Sequence, residues 1–467
     1  MPYFKKIIKK ADFRFFENKD ADLKPTLRVR DFIALGVGTI VSTTIFTLPG
    51  VVASTHAGPS VILSFVFAAI VAGMIGLLYA EMASVMPFAG SAYTWINILF
   101  GEIFGWIVGW ALLAEYFIAV SFVASGFSAN FRGLISQFNI SIPQSLSNPL
   151  GTNGGLMDIV AAVVIILTGI LLSRGTSESA KMQNVLVVLK VFAILLFIVV
   201  GFTALTPSNY FPFVPEYKIL STGSFGGWQG VYAGTSMIFL AYIGFDSIAA
   251  NSAEAINPQK TMPKGILGSL VIAVILFVLV AFVLVGMFPY SEYKDNAEPI
   301  GWALRNSGHY VVAIIVQSIS VVGMFTALIG MMLAGSRLLY SFGRDEMLPK
   351  WFSKIKKNES PNNALFILTI IAVIIGSIFP FTFLAELISA GTLVAFMFVS
   401  LAMFTLRKRE GNTLPSASFK VPFYPILPII SFIGVFIIFW GLSSEAKWCT
   451  LIWFIIGLIY YLLRKVK

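Results

Sequence analysis

Charge is scarce in this chain. Only 12% of its 467 residues are Asp, Glu, Lys or Arg, about half the share found in soluble globular proteins, so too few charged groups are present to clothe a water-facing surface. A single cysteine, Cys449, excludes an internal disulfide, and with only two histidines beside it the chain offers no zinc or redox-metal constellation. Enzyme chemistry is equally poorly provided for: no phosphate-cradling glycine loop and no nucleophile paired with a base can be found, and no cofactor is called for. The first 31 residues lack an apolar core and carry nine Lys or Arg. A cleaved secretory signal is therefore not expected, and the chain is expected to start in the cytosol.

Apolar residues are what the chain has in excess, at 57% with a mean hydropathy of +0.87. The composition reads as an all-α integral membrane protein, because backbone groups in lipid must bond within their own segment. Twelve apolar runs are expected to cross, at residues 32–53, 61–83, 103–127, 157–172, 185–205, 232–250, 266–287, 311–333, 364–383, 384–406, 426–442 and 448–463. Counted by the loops these runs define, 26 of the 32 Lys and Arg fall on one side, five on the other, and Lys190 within a run. That is the positive-inside asymmetry. It places both termini in the cytosol and the chain in the cell membrane. It also argues against nucleic acid as the partner of the basic charge, and leaves anionic lipid. The opening "PYFKKIIKKADFRFF" reads either as an amphipathic helix on the inner membrane surface or as a flexible basic tail.

Two runs are interrupted alike. The first contains "GTIVSTTIFTLPG", with Ser42, Thr43 and Thr44 in a row; the sixth contains "FLAYIGFDS", residues 239–247. They lie five runs apart. A unit with an odd number of crossings re-enters from the opposite side in its second copy, so residues 32–205 and 206–406 are expected to form an inverted five-plus-five repeat, preceded by a segment 1–31 and followed by two further helices in 407–467.

An unwound helix in mid-membrane exposes carbonyls on one half and amides on the other, and those ends suit a zwitterion. The amides around Thr43, Thr44 and Ile45, with the hydroxyls of Ser42 and Thr43, are expected to take a carboxylate. Carbonyls of Thr39 and Ile40, with those of Phe239, Ala241 and Ile243, are expected to take an ammonium. The competing reading is an unbroken helix kinked by Ser and Thr bonding back to the preceding turn.

The stretches "STTIFTLPG", "EMASVMPFAGSAYTW", "GEIFGWIVGW", "FLAYIGFDSIAANSAEAINPQKTMPKGI" and "GSRLLYSFGRDEMLPKWF" resemble the amino acid–polyamine–organocation transporters, and within them the cationic amino acid transporter branch and its bacterial relatives. The resemblance covers nearly the whole chain. It implies a leucine-transporter-like fold, alternating access, an L-amino acid held at the two unwound helices, and a proton-coupled carrier of cationic or small neutral amino acids. Polyamine transport and amino acid exchange are its near alternatives. A channel or a non-transporting nutrient sensor lies further off, and an accessory subunit is not readable. The family usually has glycines where Ser42 and Thr44 stand, and many bacterial relatives carry an acid at the place of Ala111.

Ionisable groups in a bilayer core cost about 2.5–3.5 kcal/mol each on insertion scales, so the few present are candidates for function. Glu115 falls about 18 Å into its run by helix rise, near the midplane; it reads as a contact for a substrate cation, a proton carrier, or an acid bonded to its neighbours. Asp246 follows the second interruption and reads as a pocket acid or as a cap for the helix that resumes there. Lys190 either snorkels to the inner surface or, as the resemblance implies, is the proton-coupling residue. Phe239 is a candidate gate and Met324 a candidate wall of the side-chain pocket, each with ordinary packing as the alternative. Glu81 and Arg344 would form an inner gate network or remain solvated segment ends.

Overall fold

The computed structural model describes residues 25–88, 90–152, 154–174, 180–220, 223–344, 346–354 and 361–466, with residues 10, 12–14 and 16 ahead of them. The opening basic-aromatic stretch lies largely outside the described residues. Helices occupy each of the twelve apolar runs. The first run is two helices, α1 (Val29–Ile40) and α2 (Thr43–Val52), and α3 (Val61–Val85) follows after a short π and 3-10 connection. A short buried helix α4 (Ser91–Leu99) leads to the long α5 (Glu102–Ser136), then α6 (Ile159–Ser173) and α7 (Ala180–Phe202). A two-stranded antiparallel ribbon, β1 (Lys218–Leu220) with β2 (Gly223–Phe225), precedes the sixth run. That run is again two helices, α8 (Gly227–Ile238) and α9 (Phe245–Ala250). The remainder comprises α10 (Pro258–Met287), the short α11 (Pro299–Asn306), α12 (Tyr310–Arg344), α13 (Asn362–Ile378), α14 (Phe381–Arg409), α15 (Ile426–Trp440) and α16 (Ser444–Val466).

Among the described residues, eight stretches are long and apolar enough to cross a membrane, one of them joining α2 to α3, and α6, α13 and α15 are shorter apolar helices. Helix ends depart from the apolar runs where polar residues extend the ladder. Thus α5 continues past residue 127 to Ser136 and α12 past residue 333 to Arg344. The boundary between α13 and α14 falls at Phe379 and Pro380, ahead of the expected 383, because proline cannot continue the preceding helix.

The helices α5 and α14 are each lined by buried residues on most of their length and stand at the centre. The terminal helix α16 docks on α5 through stacked indoles: Trp110 and Trp453 lie 4.6 Å apart, and each Nε1 donates to the other's backbone carbonyl, at 2.8 and 2.9 Å. Indoles contribute here twice, as apolar area and as satisfied donors. On the basic face, Glu81 at the end of α3 is buried and pairs with Arg407 of α14 at 2.8 Å. Arg344, the other inner-gate candidate, is the last residue of α12.

Candidate functional site

Both interruptions are real breaks in the helical ladder. Val41 adopts φ −86°, ψ 77° and Ser42 φ −124°, ψ −133°, so neither continues a helix. Thr44 Oγ1 does bond back to the Ile40 carbonyl at 3.4 Å, yet this back-bond spans an open turn and does not knit it closed. In the sixth run, Phe239–Tyr242 tightens to a 3-10 turn, Ile243 is extended, and Gly244 turns the chain at φ +136°. Only glycine reaches that conformation without strain.

The breaks meet each other. A Cβ on Gly244 would stand 3.2 Å from the Ile40 nitrogen and 3.3 Å from the Thr39 carbonyl carbon. Thr39 Oγ1 lies 3.2 Å from the Gly244 carbonyl and 3.3 Å from Ser247 Oγ. Two half-helices therefore end, and two begin, within one small volume. Their orphan amides and carbonyls carry opposite partial charges.

A cavity of about 450 Å³ runs along this junction. Its walls extend from Leu27, Asp31 and Asn251 at the basic face to Ser42 and Phe122. Of the expected site residues, Thr39, Ile40, Ser42, Thr44, Ile243, Glu115, Asp246 and Lys190 lie on it. Glu115 is held by Thr392, whose hydroxyl donates to Oε2 at 2.8 Å. Asp246 stands in the first turn of α9, whose N-cap is Gly244, where the free amides of a helix start favour a carboxylate. The Lys190 ammonium donates to the Gly38 carbonyl at 2.9 Å, its stem crossing the bare backbone of Gly323, so it points inward to α1 and does not snorkel.

Five expected residues lie off the cavity. Thr43 and Ile45 are wholly buried, and Ala241 is buried in the 3-10 turn. Phe239 is likewise buried, 6.1 Å from the Phe396 ring. A turn of three residues aligns Leu240 with Ile243 toward the cavity and directs Phe239 away, so the ring expected as a gate belongs to the core. Met324 is buried two residues ahead of Thr326, where the α12 part of the wall begins (Thr326, Ala327, Gly330, Met331 and Ala334).

Sequence reading missed Phe122, Ala119 and Val123. They lie seven, four and eight residues after Glu115, so helical periodicity from that acid would have found them. Ile388 and Thr392, contributed by α14, carried no local signal.

A second cavity, about 690 Å³, opens on the opposite face between Ser54, Ser125, Arg132, Asp158, Glu298 and Phe381. The two are separated by Phe122 stacked on Phe381, ring centroids 4.3 Å apart, and by Thr43, whose methyl packs directly on Gly126. The cavity at the breaks is thus closed toward this vestibule.

Comparison with known proteins agrees with the geometry. A family described as amino acid permease matches residues 27–461. The chain is 57% identical over 454 residues, 97% of each chain, to the branched-chain amino acid permease BcaP of Lactococcus lactis subsp. cremoris. It is 36% identical to the methylthioribose transporter of Bacillus subtilis, covering 97% of this chain and 95% of that one. The vacuolar cationic amino acid transporter 4 of Arabidopsis thaliana is 32% identical over 85% of this chain and 65% of its own. These relatives are named as permeases and transporters, and the family is one of transporters and not of enzymes. The chain belongs to the amino acid permease family, within the amino acid–polyamine–organocation superfamily.

Proposed function

We propose that this protein is a secondary carrier that imports a neutral, branched aliphatic L-amino acid together with a proton, by alternating access. The observation that carries the reading is the meeting of two opposed helix breaks at Thr39 and Gly244 inside a cavity. The carboxylate would take the amides after Ser42, and the ammonium the carbonyls of Thr39, Ile40 and Ile243. The Thr43 and Ile45 amides belong to the same half-helix start. Around the remaining space the walls are Phe122, Val123, Leu240, Ala327, Gly330 and Ile388, surfaces that favour an aliphatic side chain over a charged one. The name of the Lactococcus lactis relative supports this choice.

A cationic substrate is the second reading. It is favoured by Glu115 and Asp246, both on the cavity wall, and by the names of the plant relatives. Against it, Glu115 is already engaged by Thr392, and Asp246 lies in the first turn of α9, where the helix start itself favours a carboxylate. We place both termini in the cytosol, twelve crossings in the cell membrane, and the inverted repeat at residues 32–205 and 206–406, with the five-to-one charge bias as the argument. The cavity then faces the cytosol and the vestibule faces out. Lys190, beside the first break, is assigned the proton-coupling role.

Purified protein in liposomes tests these assignments together. Labelled leucine, isoleucine and valine are compared with arginine, lysine, alanine and putrescine, with and without an inward pH gradient. Saturable leucine uptake raised by the gradient is the expected result. Gradient-driven arginine or putrescine uptake with none of leucine would overturn the substrate class, and linear uptake without saturation would make the protein a channel.

A further inference from the structure

The vestibule face is tied shut by a buried polar knot that the transport reading does not use. Its centre is Glu298, immediately ahead of α11. Both oxygens of its carboxylate are bound by the Arg305 guanidinium, with Nη1 to Oε2 at 3.2 Å, and Gln317 Nε2 of α12 donates to Oε2 at 2.6 Å. Gln317 Oε1 accepts from Arg305 Nη1 at 2.9 Å and from Gln137 Nε2, just past α5, at 2.7 Å. Arg305 Nη1 also lies 3.3 Å from the Gly133 carbonyl of α5. Every donor in this set has an acceptor in another element, and the ion pair is largely shielded from water, with side-chain exposures of 16% and 14%.

Two glycines make room for it. A Cβ on Gly133 would stand 2.5 Å from Glu298 Cδ and 2.7 Å from Gln317 Nε2, and a Cβ on Gly301 would fall on the Gln317 amide. On its other side α11 leans on α2: a Cβ on Gly50 would stand 2.5 Å from Pro299. Hence α11 bridges α2, which carries the site's amides, to α5 and α12, which carry its opposite wall. Directly beneath lie the Phe122–Phe381 stack and the Thr43–Gly126 contact that divide cavity from vestibule. Separating α2 from α5 at that level pulls on the knot.

We propose that the Glu298–Arg305–Gln317 knot is the latch of the vestibule-side gate, and that its release is a required step in exposing the cavity to that face. The proposal rests on the alternating-access reading above. Its chemistry is that of a buried ion pair whose members, if one is removed, leave a stranded charge that gains by reaching water. In the open arrangement Arg305 regains solvent, so breaking the pair favours opening.

The test is thiol accessibility in the full-length protein in nanodiscs, which expose both faces. In a Cys449→Ser background, Ala129→Cys reports the vestibule wall and Ala334→Cys the cavity wall; a membrane-impermeant maleimide is the probe. Glu298→Ala is expected to speed labelling at the vestibule reporter on the order of tenfold, the scale of a modest population shift, and to slow it at the cavity reporter. Adding Gln317→Ala should change little more, since the knot is already open. Gly133→Ala, which wedges a methyl into the knot and removes no charge, should act in the same direction and decides the matter if Glu298→Ala fails to fold. Unchanged labelling at both reporters in folded Glu298→Ala and Gly133→Ala protein would overturn the latch. Labelling needs no substrate, so a failed amino acid assignment would appear in the liposome panel and not here.

Discussion

The ammonium of Lys190 lies 2.9 Å from the carbonyl of Gly38, three residues before the ladder of α1 breaks. Under the proposed coupling role, an ammonium reaching from α7 to a helix about to unwind would link the protonation of one side chain to the geometry of the site. A charge-assisted hydrogen bond of this kind contributes about 1.5–3 kcal/mol. Lys190→Ala is therefore expected to lower gradient-driven accumulation about tenfold or more while leaving substrate counterflow measurable. Uptake by the variant that still follows an imposed pH gradient would remove Lys190 from the coupling role.

Gly244 sits at φ +136° against the Ile40 nitrogen. Alanine there meets both a backbone conformation it disfavours and a neighbour at 3.2 Å. The strain is about 1–3 kcal/mol, borne by the crossing of the two breaks. Gly244→Ala should melt several degrees lower in detergent and lose most of its uptake. Gly330→Ala on the cavity wall meets nothing within 4 Å and should melt as the parent does, while narrowing the space for the substrate side chain and favouring valine over leucine in competition uptake.

Thr43 Oγ1 is buried without a hydrogen-bond partner among the described residues. A hydroxyl left so costs about 1–3 kcal/mol, and it persists one residue past Ser42, on a side chain whose methyl is pressed on Gly126 in the wall between cavity and vestibule. Moving α2 away from α5 would uncover it. Thr43→Val keeps the shape and removes the orphan, so the folded protein should melt at the same temperature or higher. Apparent affinity for substrate offered from the vestibule face should weaken several-fold, on the scale of one hydrogen bond. A variant with unchanged affinity and raised stability would make Thr43 a packing residue.

The breaks were legible because they violate the local rule: hydroxyl and glycine runs interrupt segments that otherwise obey lipid, and their spacing along the chain is matched. Lys190 and Glu115 were legible for the same reason, as charges where charge is costly. Phe239 and Met324 were not, because apolar residues on a helix carry no mark of which neighbour they meet. Phase decided both: the 3-10 turn rotated Phe239 into the core, and Met324 stops two residues short of Thr326, where the wall begins. Glu298 and Arg305 are the two ends of one short helix, but the Glu81–Arg407 pair and the knot's links to Gln137 and Gly133 join residues more than a hundred positions apart, and only packing brings these together.

Glu298 also sets a pH dependence whose sign follows from its surroundings. Burial raises its carboxyl above the ordinary glutamate range, and this outweighs the opposing pull of Arg305 and Arg132. A folded state with the higher proton affinity holds more protons than the unfolded chain between the two values, so stability falls as pH rises through that window. The contribution is fully present below the unfolded value and lost once the folded value is passed. Arg305 keeps the ionised form tolerable and so sets where the window ends. In detergent micelles, the melting temperature of the parent minus that of Glu298→Gln should decline as pH rises from the ordinary glutamate range and level off above the raised value. Glutamine keeps an acceptor for Arg305 without a titratable proton, so the variant supplies the flat reference. A difference that stays constant with pH would mean that Glu298 does not change its proton affinity on folding.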